Sequence, residues 1–414
     1  MTAPLARRLG LSDAVFIGLG SMIGAGVFAA FTPAAQAAGN GLLIGLAVAA
    51  IVALCNALAS AQLAAKYPTS GGTYIYGRAE LGPWWGFIAG WGFVVGKIAS
   101  CAAMALTFAA YAAPAGWERP VGIAAVVALA AVNYFGVTRT AQLARAIVVV
   151  VLLVLAIVAS SAFAAPSLVN STTGLLSGGW YGILQSAGLL FFAFAGYARI
   201  ATMGEEVRNP ERTIPAAIII ALTIAVVVYA VIAVTVLAVL GPDGVARSSA
   251  PLADTAIAGG WSWAGPVVRV GAAAASLGAL LALIAGIGRT SLAMAREGDL
   301  PRWLAAVHPR WKVPHHAEIA IAVVIALLVA TVDLRGAIGF SSFGVLVYYF
   351  VANVAAFKQQ PRRYPRLLQV IGGVGCLVLV ATLPLASIAV GVTVIAVGVV
   401  YRVAVTRSSS RSAT

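Results

Sequence analysis

The chain has 414 residues, 62 % of them hydrophobic and 9 % charged. So few charged side chains cannot cover the surface of a water-soluble domain of this length, which excludes a soluble enzyme or binding module. The net charge of +14 would signal nucleic acid in a soluble chain, but here the basic residues sit in short links between apolar runs and report orientation in a membrane.

Residues 1–12, MTAPLARRLGLS, are too polar and too short for a signal peptide, and are expected to form a retained cytoplasmic N-terminus. The first apolar run, 13–33, holds the stretch GLGSMIGAGVF between Gly18 and Phe28. Gly18, Gly20, Gly24 and Gly26 put the weakest helix formers inside a membrane span. A backbone break at that depth persists only where protein, water or a ligand satisfies the freed N–H and C=O groups. The glycines are therefore expected to free the backbone for binding. Close helix packing through small residues is the alternative.

Runs at 41–64, 84–112, 120–135 and 142–165 follow. The third span carries Lys97, about 13 residues past Trp84 and hence roughly 20 Å deep at 1.5 Å per residue. A charge in that place is a functional candidate. Phe93, Ser100, Met104, Thr107 and Tyr111 share its helical face, a partly polar stripe expected to face the bundle. Lys97 is read either as a coupling or gating group or as a structural charge bonded to unwound carbonyls.

The sixth run, 180–203, is interrupted in turn by FFAFAGYARIATMGEE, with Gly196 at the centre. Paired breaks in corresponding halves point to a transporter site on an inverted repeat. The helix N-terminus after the first break can meet a carboxylate, and carbonyls of both breaks can accept from an ammonium. Arg199 lies two turns before Glu206, so an ion pair or inner-gate contact with Glu205 or Glu206 is expected.

Runs at 214–240, 264–295, 316–332, 336–357, 366–383 and 385–402 bring the count to about twelve spans. The eighth reads LGALLALIAGIG from Leu277 to Gly288 and offers no oxygen side chain to a hard cation. In the tenth, FSSFGVLVYYF supplies Ser341, Ser342 and two tyrosines as pathway-lining or packing groups. His308, His315 and His316 cluster with basic residues in a link expected to face lipid headgroups, not a metal. Cys55, Cys101 and Cys376 sit in apolar segments with no metal or disulfide spacing. Residues 403–414 are basic and Ser-rich and are expected to be a disordered cytoplasmic tail. Lys66, Arg78, Arg145, Arg208, Arg302, Arg310 and Arg362 fall in one set of links, against Arg119, Arg247 and Arg335 in the other. That bias puts both termini in the cytoplasm.

The chain resembles the amino acid–polyamine–organocation superfamily, which has the LeuT-type fold. The resemblance covers nearly all of it and rests on four stretches in the family's order. They are GSMIGAGVF, YPTSGGTYIYGRAELGPWWGFIAGW, FFAFAGYARIATMGEEVRNPERTIPAAI and GRTSLAMAREGDLPRWLAAVHPRWKVPHHA. It implies an all-α polytopic membrane protein with a 5+5 inverted repeat, 13–165 and 180–357, broken helices one and six, and two C-terminal helices over 366–402. It also implies an amino acid carried across the cytoplasmic membrane by alternating access. The substrate carboxylate would bind amides around Ala25 and Gly26, and the amino group carbonyls of Met22, Phe192 and Ala195, with Phe192 as an aromatic lid. The substrate set on this basis is Met22, Ile23, Gly24, Ala25, Gly26, Phe191, Phe192, Ala195, Gly196 and Tyr197. Lys97, Arg199, Glu205 and Glu206 are the coupling or gating set.

The chain departs from two coupling devices of its apparent relatives. Val151 stands where some carry a span-five lysine, and Ala198 where others carry an acid after the span-six break. Proton coupling or exchange is expected ahead of sodium, and neutral substrates ahead of cationic ones, since no acid lies at mid-membrane. A polyamine or a cationic or anionic amino acid antiporter is the alternative, and a non-transporting sensor or a channel on the same fold the alternative of another class. No cofactor, metal or nucleic acid is expected; the partners are an amino acid and lipid. No nucleophile–base pairing, membrane carboxylate pair or phosphate loop supports an enzyme.

Overall fold

The structure is a computed structural model that describes residues 9–69, 71–136, 141–165, 174–204 and 206–411. Helices account for its regular structure. Among the described residues, nine helical runs are long and apolar enough to cross a membrane. Three further helices of 17 residues each, α7 (Glu118–Tyr134), α14 (His315–Thr331) and α16 (Arg366–Thr382), pack among them. The chain is an all-α polytopic membrane protein. Large apolar side chains face outward around the bundle, among them Phe163, Val270 and Leu385, as a lipid-facing belt requires.

The first span is split into α1 (Leu11–Met22), α2 (Gly26–Ala29) and α3 (Phe31–Ala38), with Ile23–Ala25 outside any helix. Gly39 (φ +55°) lets the chain reverse into α4 (Leu42–Lys66). Next come α5 (Thr73–Leu81), α6 (Pro83–Ala112), then α7 and α8 (Ala141–Ser161). The sixth span comprises α9 (Gly179–Phe194) and α10 (Ala198–Ala201), joined by one tight turn over 195–197. Helix α11 (Pro210–Arg247) bends at Gly241 (φ +69°), where Pro242 supplies no donor to the helix ladder. The rest are α12 (Pro251–Ala258), α13 (Ala264–Arg296), α14, α15 (Leu334–Lys358), α16 and α17 (Leu385–Arg411).

Packing repeats between the halves. Helix α1 packs on α11, as α9 packs on α4; α6 packs on α15, as α13 packs on α8; α6 meets α14, as α13 meets α7. Exchanging the first five spans for the second five maps each contact onto another. The short helices α5 and α12, absent from the expected elements, occupy matching places after the second and seventh spans. The tail differs from expectation. Helix α17 continues to Arg411, so residues 403–411 are helical; a helix nucleated by 385–402 extends one bond per added residue. Residues 412–414 lie outside the described part.

Candidate functional site

Both breaks are buried at the centre of the bundle, and their backbones touch. A Cβ at Gly26 would stand 2.7 Å from Ala193 Cα, and one at Gly196 would meet the Ser21 carbonyl and Met22 N. Glycine at these two positions is thus required by close approach of one broken helix to the other. Gly18 abuts Ile200 and Gly24 abuts Ala279, so packing accounts for much of the glycine cluster that the sequence suggested was there for ligand binding. The interruption itself falls at Ile23–Ala25, where the Ile23 N–H still reaches Leu19 O at 2.7 Å. Beyond it the first N–H groups of α2 have no intrahelical partner.

The second break is tighter than expected. Residues 195–197 form a single 3₁₀ turn in which the Ala195 N–H donates to Phe192 O. The change of winding leaves neighbouring carbonyls to side chains. Tyr229 Oη, from α11, lies 2.6 Å from Met22 O and 3.0 Å from Ala193 O, so one hydroxyl ties the two broken helices together. Lys97 Nζ, from α6, donates to Ala195 O at 3.1 Å. The lysine is buried, as are Phe93, Ser100, Met104, Thr107 and Tyr111 along its face. Ser100 Oγ meets Ser341 Oγ of α15 at 2.6 Å, and Tyr111 Oη donates to Phe28 O at 3.2 Å.

Met22, Gly24, Ala25, Gly26, Phe192, Ala195, Gly196 and Lys97 therefore gather around the breaks. Phe192 packs in one buried cluster with Ala25, Ala29, Met104, Ala279 and Leu280. Phe191 and Tyr197 turn away to α15, where their rings meet Tyr349 at 5.9 Å and 5.0 Å. Ile23 borders a void of about 10 Å³ with Gly20, Gly24, Val148, Val151 and Ala275. The side chains that line it are all apolar. Val151 thus lies against the first break without offering it a polar group.

Arg199 and Glu206 lie close enough to interact electrostatically but form no ion pair. Arg199 Nη1 bonds Thr202 Oγ1 at 3.3 Å, and Glu206 Oε1 lies 3.8 Å from Arg289 Nη1. Helical spacing fails because α10 ends at Ala201. Val207 then pairs with Leu9 in an isolated bridge, with the Leu9 N–H donating to Glu206 O at 3.0 Å. Glu205 lies outside the described residues.

A second polar centre, which the sequence did not announce, closes the end of the bundle where α5, α13 and α17 meet. The buried Asp299 carboxylate accepts from Tyr74 Oη at 2.8 Å, Arg78 Nη1 at 2.8 Å and Arg402 Nη1 at 2.6 Å. Arg402 also covers the rings of Phe87 at 4.7 Å and Trp84 at 5.0 Å. Burial, and then the neighbouring Asp299 carboxylate, push the Tyr74 phenol well above its ordinary range, so it stays a donor.

The family model described as amino acid permease matches residues 9–410. An uncharacterised transporter of Mycobacterium tuberculosis is 60 % identical over 402 residues, 95 % of this chain and 90 % of its own. The branched-chain amino acid permease of Bacillus subtilis is 27 % identical over 385 residues, 86 % of this chain and 82 % of its own. Human cationic amino acid transporter 4 is 30 % identical over 380 residues, 85 % of this chain and 60 % of its own.

Proposed function

The chain belongs to the amino acid permease family of the amino acid–polyamine–organocation superfamily, and on that premise we propose that it is a secondary transporter. It carries an amino acid across the cytoplasmic membrane by alternating access, with both termini on the cytoplasmic side. One observation supports this above the rest: two helix breaks face each other at mid-bundle, and carbonyls of both, Met22, Ala193 and Ala195, bond to side chains. Backbone that can exchange a side-chain partner for a ligand is what a transport site at a broken helix needs.

In this reading the carboxylate of the substrate meets the amides around Ala25 and Gly26, and its ammonium the carbonyls of Met22 and Ala195. Both carbonyls now hold an internal donor, Tyr229 or Lys97, which the ammonium displaces. The exchange of packing between residues 13–165 and 180–357 supports the inverted repeat that alternating access uses. Proton coupling or amino acid exchange fits better than sodium, because no side chain around Gly20 and Gly24, neither Val148 nor Val151 nor Ala275, offers an oxygen to a hard cation. The site holds no described carboxylate to pair with a cationic side chain.

Uptake of a radiolabelled amino acid panel into proteoliposomes tests the reading. Each compound is presented with an imposed proton gradient, with sodium, and with unlabelled amino acid inside. Saturable uptake in the first or third condition is expected. Binding with no flux in any of them would replace the transporter with a sensor.

A further inference from the structure

The ammonium form of Lys97 has no counter-charge among the described residues. Its ammonium has three N–H donors, and Ala195 O takes one. The residue is 6 % exposed, and among the described residues it forms no ion pair. Arg199, four residues past Ala195, bonds the Thr202 hydroxyl and faces the Glu206 carboxylate at longer range. Among the described residues the two buried carboxylates, Asp299 and Glu318, lie on other elements, and Asp299 is already held by two arginines. An isolated buried charge is costly, and inside a membrane protein such a residue marks a substrate or ion pathway.

A neutral amino acid cannot balance this charge. Its zwitterion brings a carboxylate and an ammonium together, and the repulsion of the second offsets the attraction of the first. A substrate of net charge −1 leaves the site neutral. The surroundings narrow the choice further. Ala25, Met104, Phe192, Ala279 and Leu280 are apolar, and the nearby hydroxyls of Ser100 and Ser341 bond each other, so the charge-assisted donor for a second carboxylate is Lys97.

We infer that the transported class is acidic amino acids and that Lys97 is the counter-charge to the side-chain carboxylate. This rests on the transport reading above. Binding then proceeds by exchange of partners: the substrate ammonium replaces Lys97 on Ala195 O, and the freed lysine turns to the second carboxylate. No proton changes hands in the step. Lys97 thus sets specificity by selecting for net negative charge against isosteric neutral compounds.

The isosteric pairs glutamate–glutamine and aspartate–asparagine test this in proteoliposomes, each as labelled substrate and beside a wider amino acid panel. The wild type is expected to take up the acid with an apparent affinity at least about tenfold above that of its amide. In Lys97→Met, which keeps the stem and drops the charge, that ratio falls toward one. Amides carried as well as or better than acids by the wild type overturn the inference and leave the transport reading standing, a comparison that needs no variant. A ratio unchanged in a folded Lys97→Met also overturns it. If monodisperse wild-type protein moves no compound in the panel, the transport reading fails and the inference with it.

Discussion

The Tyr229 hydroxyl reaches the Met22 carbonyl at 2.6 Å and, on its other side, the Ala193 carbonyl at 3.0 Å. A phenol has one proton, so the two acceptors share it, and both breaks are held by a single buried group. Tyr229→Phe keeps the ring contact with Phe194 at 5.0 Å and removes the donor. Leaving buried carbonyls unsatisfied costs about 1–3 kcal/mol. The variant is expected to melt at lower temperature and to take up less substrate, because Met22 O is no longer fixed relative to span six. Unchanged melting and uptake would mean that the tie is incidental.

Gly26 and Gly196 make a sharper prediction, because what a Cβ meets there is backbone, which cannot rotate away. Alanine at either position has to push the broken helices apart, and overpacking of this kind costs about 1–3 kcal/mol. Gly286 in α13 is the control, since nothing lies within 4 Å of a Cβ there. Gly26→Ala and Gly196→Ala should lower the melting temperature and uptake together, while Gly286→Ala leaves both near wild type. Equal tolerance at all three positions would contradict the close approach.

Asp299 is the hub of the closed end. Asp299→Asn removes the charge that faces Arg78 and Arg402, and leaving a buried arginine uncompensated costs about 3–5 kcal/mol. Asp299→Asn combined with Arg402→Met should therefore destabilise by less than the sum of the single changes. Glu206→Gln is expected to cost under about 1 kcal/mol, since its partner Arg289 is 53 % exposed and 3.8 Å away. Melting of these four variants against the wild type measures all of this, and additive single changes would deny the coupling.

What could be read from the chain was what local composition carries. The first break is visible because four glycines fall in one span, and Lys97 because a charge stands alone in an apolar run. Tyr229 was not visible. Set among Val226, Val227, Val228 and Ile232, it looks like any aromatic residue of a membrane helix, and its role exists only because α11 packs on α1. Asp299 sits in an ordinary helix-ending sequence, and its partners Tyr74 and Arg402 are over a hundred residues away on either side. The Arg199–Glu206 expectation assumed helix through a segment that leaves it at Thr202. Side-chain periodicity holds only while the helix does.

Orientation gives a last prediction, free of any assumption about substrate. The three native cysteines, Cys55, Cys101 and Cys376, are buried and unpaired, so a membrane-impermeant maleimide should leave the wild type unlabelled. Single cysteines can then be placed in opposite links. Gly116 between α6 and α7, and Ser262 between α12 and α13, lie in links with few basic residues, whereas Arg302 and Arg310 lie in the basic link before α14. In the orientation proposed above the basic links face the cytoplasm, because translocating Lys and Arg is disfavoured during insertion. Gly116→Cys and Ser262→Cys are expected to react in intact cells, and Arg302→Cys and Arg310→Cys only after permeabilisation. The reverse pattern would turn the protein over and place the Asp299 centre on the outside. Labelling of all four in intact cells would show that the barrier itself had failed.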